Sequence, residues 1–190
     1  MEDKGEKMFR ITLDGYTVGI SDTMPDIYGH YCRHAQLVEV FEGDKWESYE
    51  SSSLFLLVAR GNALPFLVVT QKYSAGPDQG FHPGVVLVPE THTLFIGAGE
   101  RLLAYRLEPV EKLWEEYTMM GFWGWERYRE RVIMSAEMEL AAWDSHGHKR
   151  WSLSVEPPWS YHIEGDTIQL EVMGQPSSFS LQEGPPPPSR

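Results

Sequence analysis

The sequence predicts an all-β protein built of antiparallel meanders, with little helix. Three observations predict it. Short apolar runs of strand length recur in pairs, clusters of Gly, Pro, Asn and Asp separate them, and the second half of the chain repeats itself at a period near that of a four-strand unit. The composition makes a packed core available: 190 residues are 42% hydrophobic and 13% aromatic, with seven tryptophans. A chain of this apolarity is not a disordered polymer, and at this length folding hides roughly 70% of the surface the unfolded form exposes. Residues 1–184 read as a single domain, with an N-terminal half at 8–90 and a repetitive half at 91–184.

Taken in order, Leu54–Ala59 and Leu64–Val69 flank Arg60-Gly61-Asn62-Ala63 and read as a hairpin. Their near-continuous apolarity predicts strands covered on both faces. Ser74–Gly80 is a turn-rich connector, and Gly84–Pro89 with Thr93–Gly97 form a second pair around Glu90-Thr91-His92. Glu108–Tyr117 carries two patterns. Pro109 near its start and Val110, Leu113, Trp114 and Tyr117 at helical spacing suit a helix, while the alternation of its counterpart Arg150–Val155 favours a strand. Residues 185–190, four prolines and then Ser189-Arg190, read as a disordered tail.

The repeat is specific enough to align. Leu94–Arg106 matches Val132–Asp144 at an offset of 38, Trp114 meets Trp151 at 37, and Val132-Ile133-Met134 meets Ile168-Gln169-Leu170 at 36. The unit is an apolar strand, a small-residue turn, a strand ending in an aromatic, a turn and a strand with Trp. Leu140-Ala141-Ala142-Trp143-Asp144, Gly147 and Trp151 show it most cleanly. Over residues 94–181 this resembles the blade repeat of quinoprotein-like β-propellers. The resemblance implies a four-strand meander per unit of about 40 residues and does not imply a quinone. The chain is too short for a closed ring of such units, so the expected architecture is a blade-like sandwich or an incomplete propeller, with the N-terminal half as the second layer.

Charge narrows the function classes. With 28 acidic against 16 basic side chains the formal net charge is −12, and the excess sits in residues 1–50 and 151–190. Nucleic acid is therefore not an expected partner, since binding it needs Lys and Arg to displace counterions. The charged start, Met1–Lys7, has no apolar stretch behind it, and no apolar run approaches the ~20 residues of a membrane helix. The single cysteine, Cys32, excludes an intrachain disulfide and fits a reducing compartment. A cytoplasmic protein away from the membrane is expected.

Two groups of residues could carry a site. On a strand, His30, Cys32 and His34 would point to one face and offer three zinc ligands, although their spacing matches no common finger. Gly121–Arg131, as a strand, would set Trp123, Trp125, Arg127, Arg129 and Arg131 on one surface, able to hold a planar ligand, a sugar or a protein anchor by stacking and cation–π contacts. Trp159, in Glu156-Pro157-Pro158-Trp159, occupies the corresponding place in the next unit. The alternative for both groups is structural: His30 and His34 on a loop or exposed strand face with Cys32 packed, and the tryptophans in the core with the arginines paired to carboxylates. His146 and His148 flank Gly147 in an expected hairpin turn. No catalytic motif is present: no Gly-x-Ser-x-Gly, phosphate loop, His-Glu-x-x-His or dinucleotide fingerprint.

Two functions follow. The first is a non-catalytic binding domain, of the immunity-protein or accessory-subunit kind, engaging a protein partner for which the charge favours a basic one. It needs no cofactor. The second is a small zinc-dependent or small-molecule enzyme using His30, Cys32 and His34 or a Trp-lined pocket. Exposed sheet edges also invite pairing with a second copy of the chain.

Overall fold

The computed structural model describes residues 8–43, 51–74 and 82–187. The charged start, most of the 74–80 connector and the end of the proline tail lie outside them. The strands form four sheets in chain order. The first contains β1 (Phe9–Leu13), β2 (Tyr16–Ser21), β3 (Leu37–Phe41), β4 (Ser51–Arg60) and β5 (Leu67–Ser74), ordered β1-β2-β4-β5-β3. Then come two sequential four-strand meanders. The second sheet has β6 (Gly84–Val88), β7 (Thr93–Ala98), β8 (Arg101–Leu107) and β9 (Val110–Tyr117), and the third β10 (Phe122–Tyr128), β11 (Arg131–Ala136), β12 (Glu139–Asp144) and β13 (Lys149–Ser154). The fourth is a three-strand meander, β14 (Trp159–Glu164), β15 (Thr167–Val172) and β16 (Gln175–Ser180). All strand pairs are antiparallel except β3 with β5.

The protein is thus all-β and blade-like, an incomplete propeller. Instead of the expected two layers, four sheets stack face to face. The sequence shows why: period-two side chains feed two cores at once. Leu94, Ile96 and Ala98 of β7 and Leu103 and Tyr105 of β8 pack towards the first sheet, while Phe95, Leu102 and Ala104 of the same strands pack towards the third. In β11, Val132 and Met134 face the second sheet and Ile133 faces the fourth. The aligned repeat matches these strands, since β7 and β8 correspond to β11 and β12. Pro109 does not start a helix; Val110–Tyr117 is the strand β9, paired along β8.

Residues 28–34 depart from the strand geometry assumed for them. They form the helix α1 (Tyr28–His34), closed by the Ala35 N–H on the Tyr31 carbonyl. Tyr28, Tyr31, Cys32 and Ala35 recur at helical spacing and pack on the outer face of the first sheet against Leu57 and Val68. Burying that apolar stripe favours the helix over an unpaired strand.

After β16 the C-terminal segment turns back, with Gly184 bridged to Ser180. Residues 181–184 fold back over β13, where the Trp151 indole donates to the Leu181 carbonyl at 2.9 Å. Gly184, at φ +83°, lies so close to Trp151 that an added Cβ would meet the Trp151 Cβ at 2.6 Å. Gly84 and Gly97, paired across β6 and β7, leave a slot that the fully buried Phe122 ring fills.

Candidate binding surface

The predicted tryptophan and arginine face does not form, because β10 is bulged. The register shifts between Phe122 and Gly124, which turns Phe122 and Trp125 together into the core between the second and third sheets and leaves Trp123 on the other side. Trp125 is packed among Phe95, Phe122 and Trp143. The arginines diverge as well. Arg127 pairs with Glu90 of the second sheet, Arg129 with Asp166 of the fourth, and the buried Arg131 donates to Gln182. They tie neighbouring sheets together.

The helix likewise separates the proposed zinc ligands. His30 and His34, one turn apart, lie ring against ring at 4.3 Å on the exposed side, while Cys32 points into the packing against the sheet. Among the described residues no three His, Cys, Asp or Glu side chains come together as a metal site. His148 bonds to Asp144, whose carboxylate also accepts the backbone N–H groups of His146 and His148. That arrangement closes a turn.

Trp123 and Trp159 do meet. Their rings stack at 5.0 Å and 16°, and Trp159 in turn stacks on Tyr161 at 6.1 Å and 24°. Polar edges hold this three-ring ladder. The Trp123 indole donates to the Glu137 carboxylate at 3.2 Å, the Trp159 indole to the Glu137 carbonyl at 2.9 Å, and the Tyr161 hydroxyl to Glu126 at 2.8 Å. Burial first, and then the neighbouring Glu126 carboxylate, push the Tyr161 hydroxyl pKa well up, so it stays a donor. Trp159 is buried, whereas Trp123 ends the ladder with 39% of its surface exposed. No other ring and no cation among the described residues stacks on it.

The ladder stands on a continuous rim made by the turns at one end of the sheets. Hydrogen bonds run along it from Thr118 to Glu100, from Phe122 to Gly99, from Glu137 to Gly121, from Val155 to Met138 and from Met173 to Pro158. This rim carries Glu100, Glu137, Glu139 and Glu156, together with exposed Tyr117, Met119, Met120 and Met173. Among the described residues its one cation, Arg101, is buried and bound to Glu115 and Tyr117. At the opposite end the charges are mixed and largely paired, as in Arg60 with Glu108 and Arg106 with Glu111. There the buried Tyr16 hydroxyl bonds His92, Glu108 and Arg60, locking the first sheet to the second.

Glu137, Glu126 and Tyr161 were not foreseen as parts of this surface. The repeat contained the signal, because Trp123 and Trp159 hold corresponding positions in successive units. Successive units stack, so corresponding residues become neighbours.

No family model matches the sequence, and no curated protein does. Among solved structures, Kluyveromyces lactis Hsv2 is similar at 12% identity and a TM-score of 0.31, over 54% of this chain and 33% of that one. A form of the same protein with its loop 6CD replaced by a Gly-Ser linker gives 12% identity and a TM-score of 0.31, over 54% and 36%. The chain spans about a third of their length. Similarity of this degree carries no argument about activity, and the blade-like description rests on the sheets themselves. Among the described residues no helix is long and apolar enough to cross a membrane.

Proposed function

We propose that the protein is a non-catalytic binding module that engages a basic segment of a protein partner along the rim, with Trp123 as the anchor. The observation that carries this reading is the half-exposed Trp123 ring, stacked on one face only, on a rim whose single cation among the described residues is buried. An indole face takes a guanidinium or ammonium group within about 6 Å of its centre, and the carboxylates around it complement the same charge. The division of labour follows from the physics. Exposed ion pairs contribute little affinity but speed and orient encounter, so the affinity comes from the aromatic anchor and the apolar residues beside it.

The test is affinity purification of the tagged full-length protein from its own source, with mass spectrometry of what it retains. Trp123→Ala should lose the retained protein, while Arg150→Ala, at the other end of the third sheet, should keep it. Retention by a folded Trp123→Ala variant overturns the proposal.

A further inference from the structure

Most sheet edges in the fold are blunted in the ways that prevent pairing with another chain. Pro176 interrupts the donors of β16, Lys149 and Arg150 stand on β13, a run of Glu and Lys covers β9, and β6 packs against β10. β3, the other edge of the first sheet, carries Glu39, which Tyr105 and Lys112 hold against the second sheet. β1 differs, for among the described residues it pairs with β2 alone, and all five of its residues are exposed. Its register sets Phe9, Ile11 and Leu13 opposite Ile20, Val18 and Tyr16, yet they overhang the core with 64%, 50% and 46% of their surfaces exposed. On the other face, Arg10 and Thr12 line a cavity of about 500 Å³ with Ile27 and Leu64.

We propose that β1 is the site at which a second copy of this chain pairs, antiparallel about a two-fold axis at Ile11. The strand is self-complementary in that register. Phe9 opposes Leu13 of the second copy, Ile11 opposes Ile11, and Arg10 opposes the neutral Thr12, so no like charges face each other. β1 itself carries no carboxylate in a chain of net charge −12, so no two carboxylates oppose each other across the pair. Pairing satisfies the open backbone groups of both strands, covers the overhanging apolar side chains and extends each five-stranded sheet into a ten-stranded one. The contact is one strand wide, smaller than the ~800 Å² per partner of a standard interface. The dimer is therefore concentration-dependent.

The experiment is sedimentation equilibrium of the full chain from low to high micromolar concentration. The mass should rise towards twice that of the monomer, and Ile11→Lys, at an exposed position, should remain monomeric, with the Tm of the wild type at concentrations where that is monomeric. In a Cys32→Ser background, Ile11→Cys should crosslink to itself on mild oxidation, because opposed residues at a two-fold axis bring their Cα atoms within the span a disulfide bridges. A wild-type protein that stays monomeric, an Ile11→Lys variant that still dimerises, or failure of the position-11 crosslink overturns the proposal.

Discussion

Replacing Gly97 by alanine tests how the second and third sheets are joined. Phe122 is fully buried, its backbone N–H bonds the Gly99 carbonyl at 2.7 Å, and its ring fills the slot between Gly84 and Gly97. A methyl group on Gly97 would lie 2.6 Å from two ring carbons, and one on Gly84 would lie 2.8 Å from the same ring. With Trp125 packed beside it at 5.5 Å, the ring has nowhere to move. Overpacking of this kind costs ~1–3 kcal/mol, offset by ~0.5–1 kcal/mol from the smaller freedom of the unfolded chain. The net expectation for Gly97→Ala is a loss of up to about 2.5 kcal/mol, which for a chain of this size lowers Tm by up to ~10 °C. Phe122→Ala alone should cost ~3–5 kcal/mol. It empties the slot, so adding Gly97→Ala to it should cost nothing or restore a few tenths. Urea unfolding of the four proteins measures that coupling directly, with Phe122→Leu in place of Phe122→Ala if the latter does not fold. Effects that add to within ~0.5 kcal/mol would refute the slot.

Three further outcomes follow from the same packing. Gly184→Ala, which combines a positive φ with the contact on Trp151, should release the C-terminal segment at a cost of ~1–3 kcal/mol, seen as a red shift of tryptophan emission and a lower Tm. Burial pushes the Asp144 carboxyl up, but the bonds from His148 and from the His146 N–H outweigh it and hold the pKa below its ordinary value. That contribution is complete above the ordinary carboxylate range and is lost as pH falls through the lowered folded value. Asp144→Asn should therefore be less stable than wild type near neutral pH, and the two should converge in acid during pH-dependent urea unfolding. With the partner in hand, Glu156→Gln should slow association and flatten its salt dependence, while Trp123→Ala should speed dissociation; stopped-flow traces showing the reverse would move the anchor from Trp123 to the carboxylates.

The class of fold was legible because strands covered on both faces leave a plain mark. Leu94–Ala98 and Val132–Met134 are apolar at every position, as only a middle layer requires. The repeat offset then aligned the second and third strands of successive sheets. What the sequence hid was local. A one-residue bulge at Trp123 reverses the face of every side chain before it relative to those after, and period two alone does not announce it. The face assumed for Trp123 and Trp125 therefore split. The helix at 28–34 was legible in principle, since Tyr28, Tyr31, Cys32 and Ala35 carry a helical stripe, but reading His30, Cys32 and His34 as alternate strand residues set a different period. The Arg127 and Arg129 pairings depend on which sheets stack, and a single repeat unit does not contain that information.

The outer faces of the stack bear on where a partner can bind. In the fourth sheet Trp159, Tyr161, Ile163, Ile168 and Leu170 point inward, whereas Ser160, His162, Glu164 and Glu171 point out. Stacked repeats need such a polar terminal face. A further sheet laid on it would bury two carboxylates and an imidazole without partners, at several kcal/mol. At the other end, α1 already covers Leu57 and Val68 on the outer face of the first sheet. Extension of the stack by another blade is disfavoured at the fourth sheet and partly blocked at the first. Two surfaces of the described residues stay open to a partner: the turn rim, where the Trp123 ring stands among carboxylates, and the β1 edge, where the backbone does. One is acidic and the other has no carboxylate, so a basic partner and a second copy would bind without competing for the same residues.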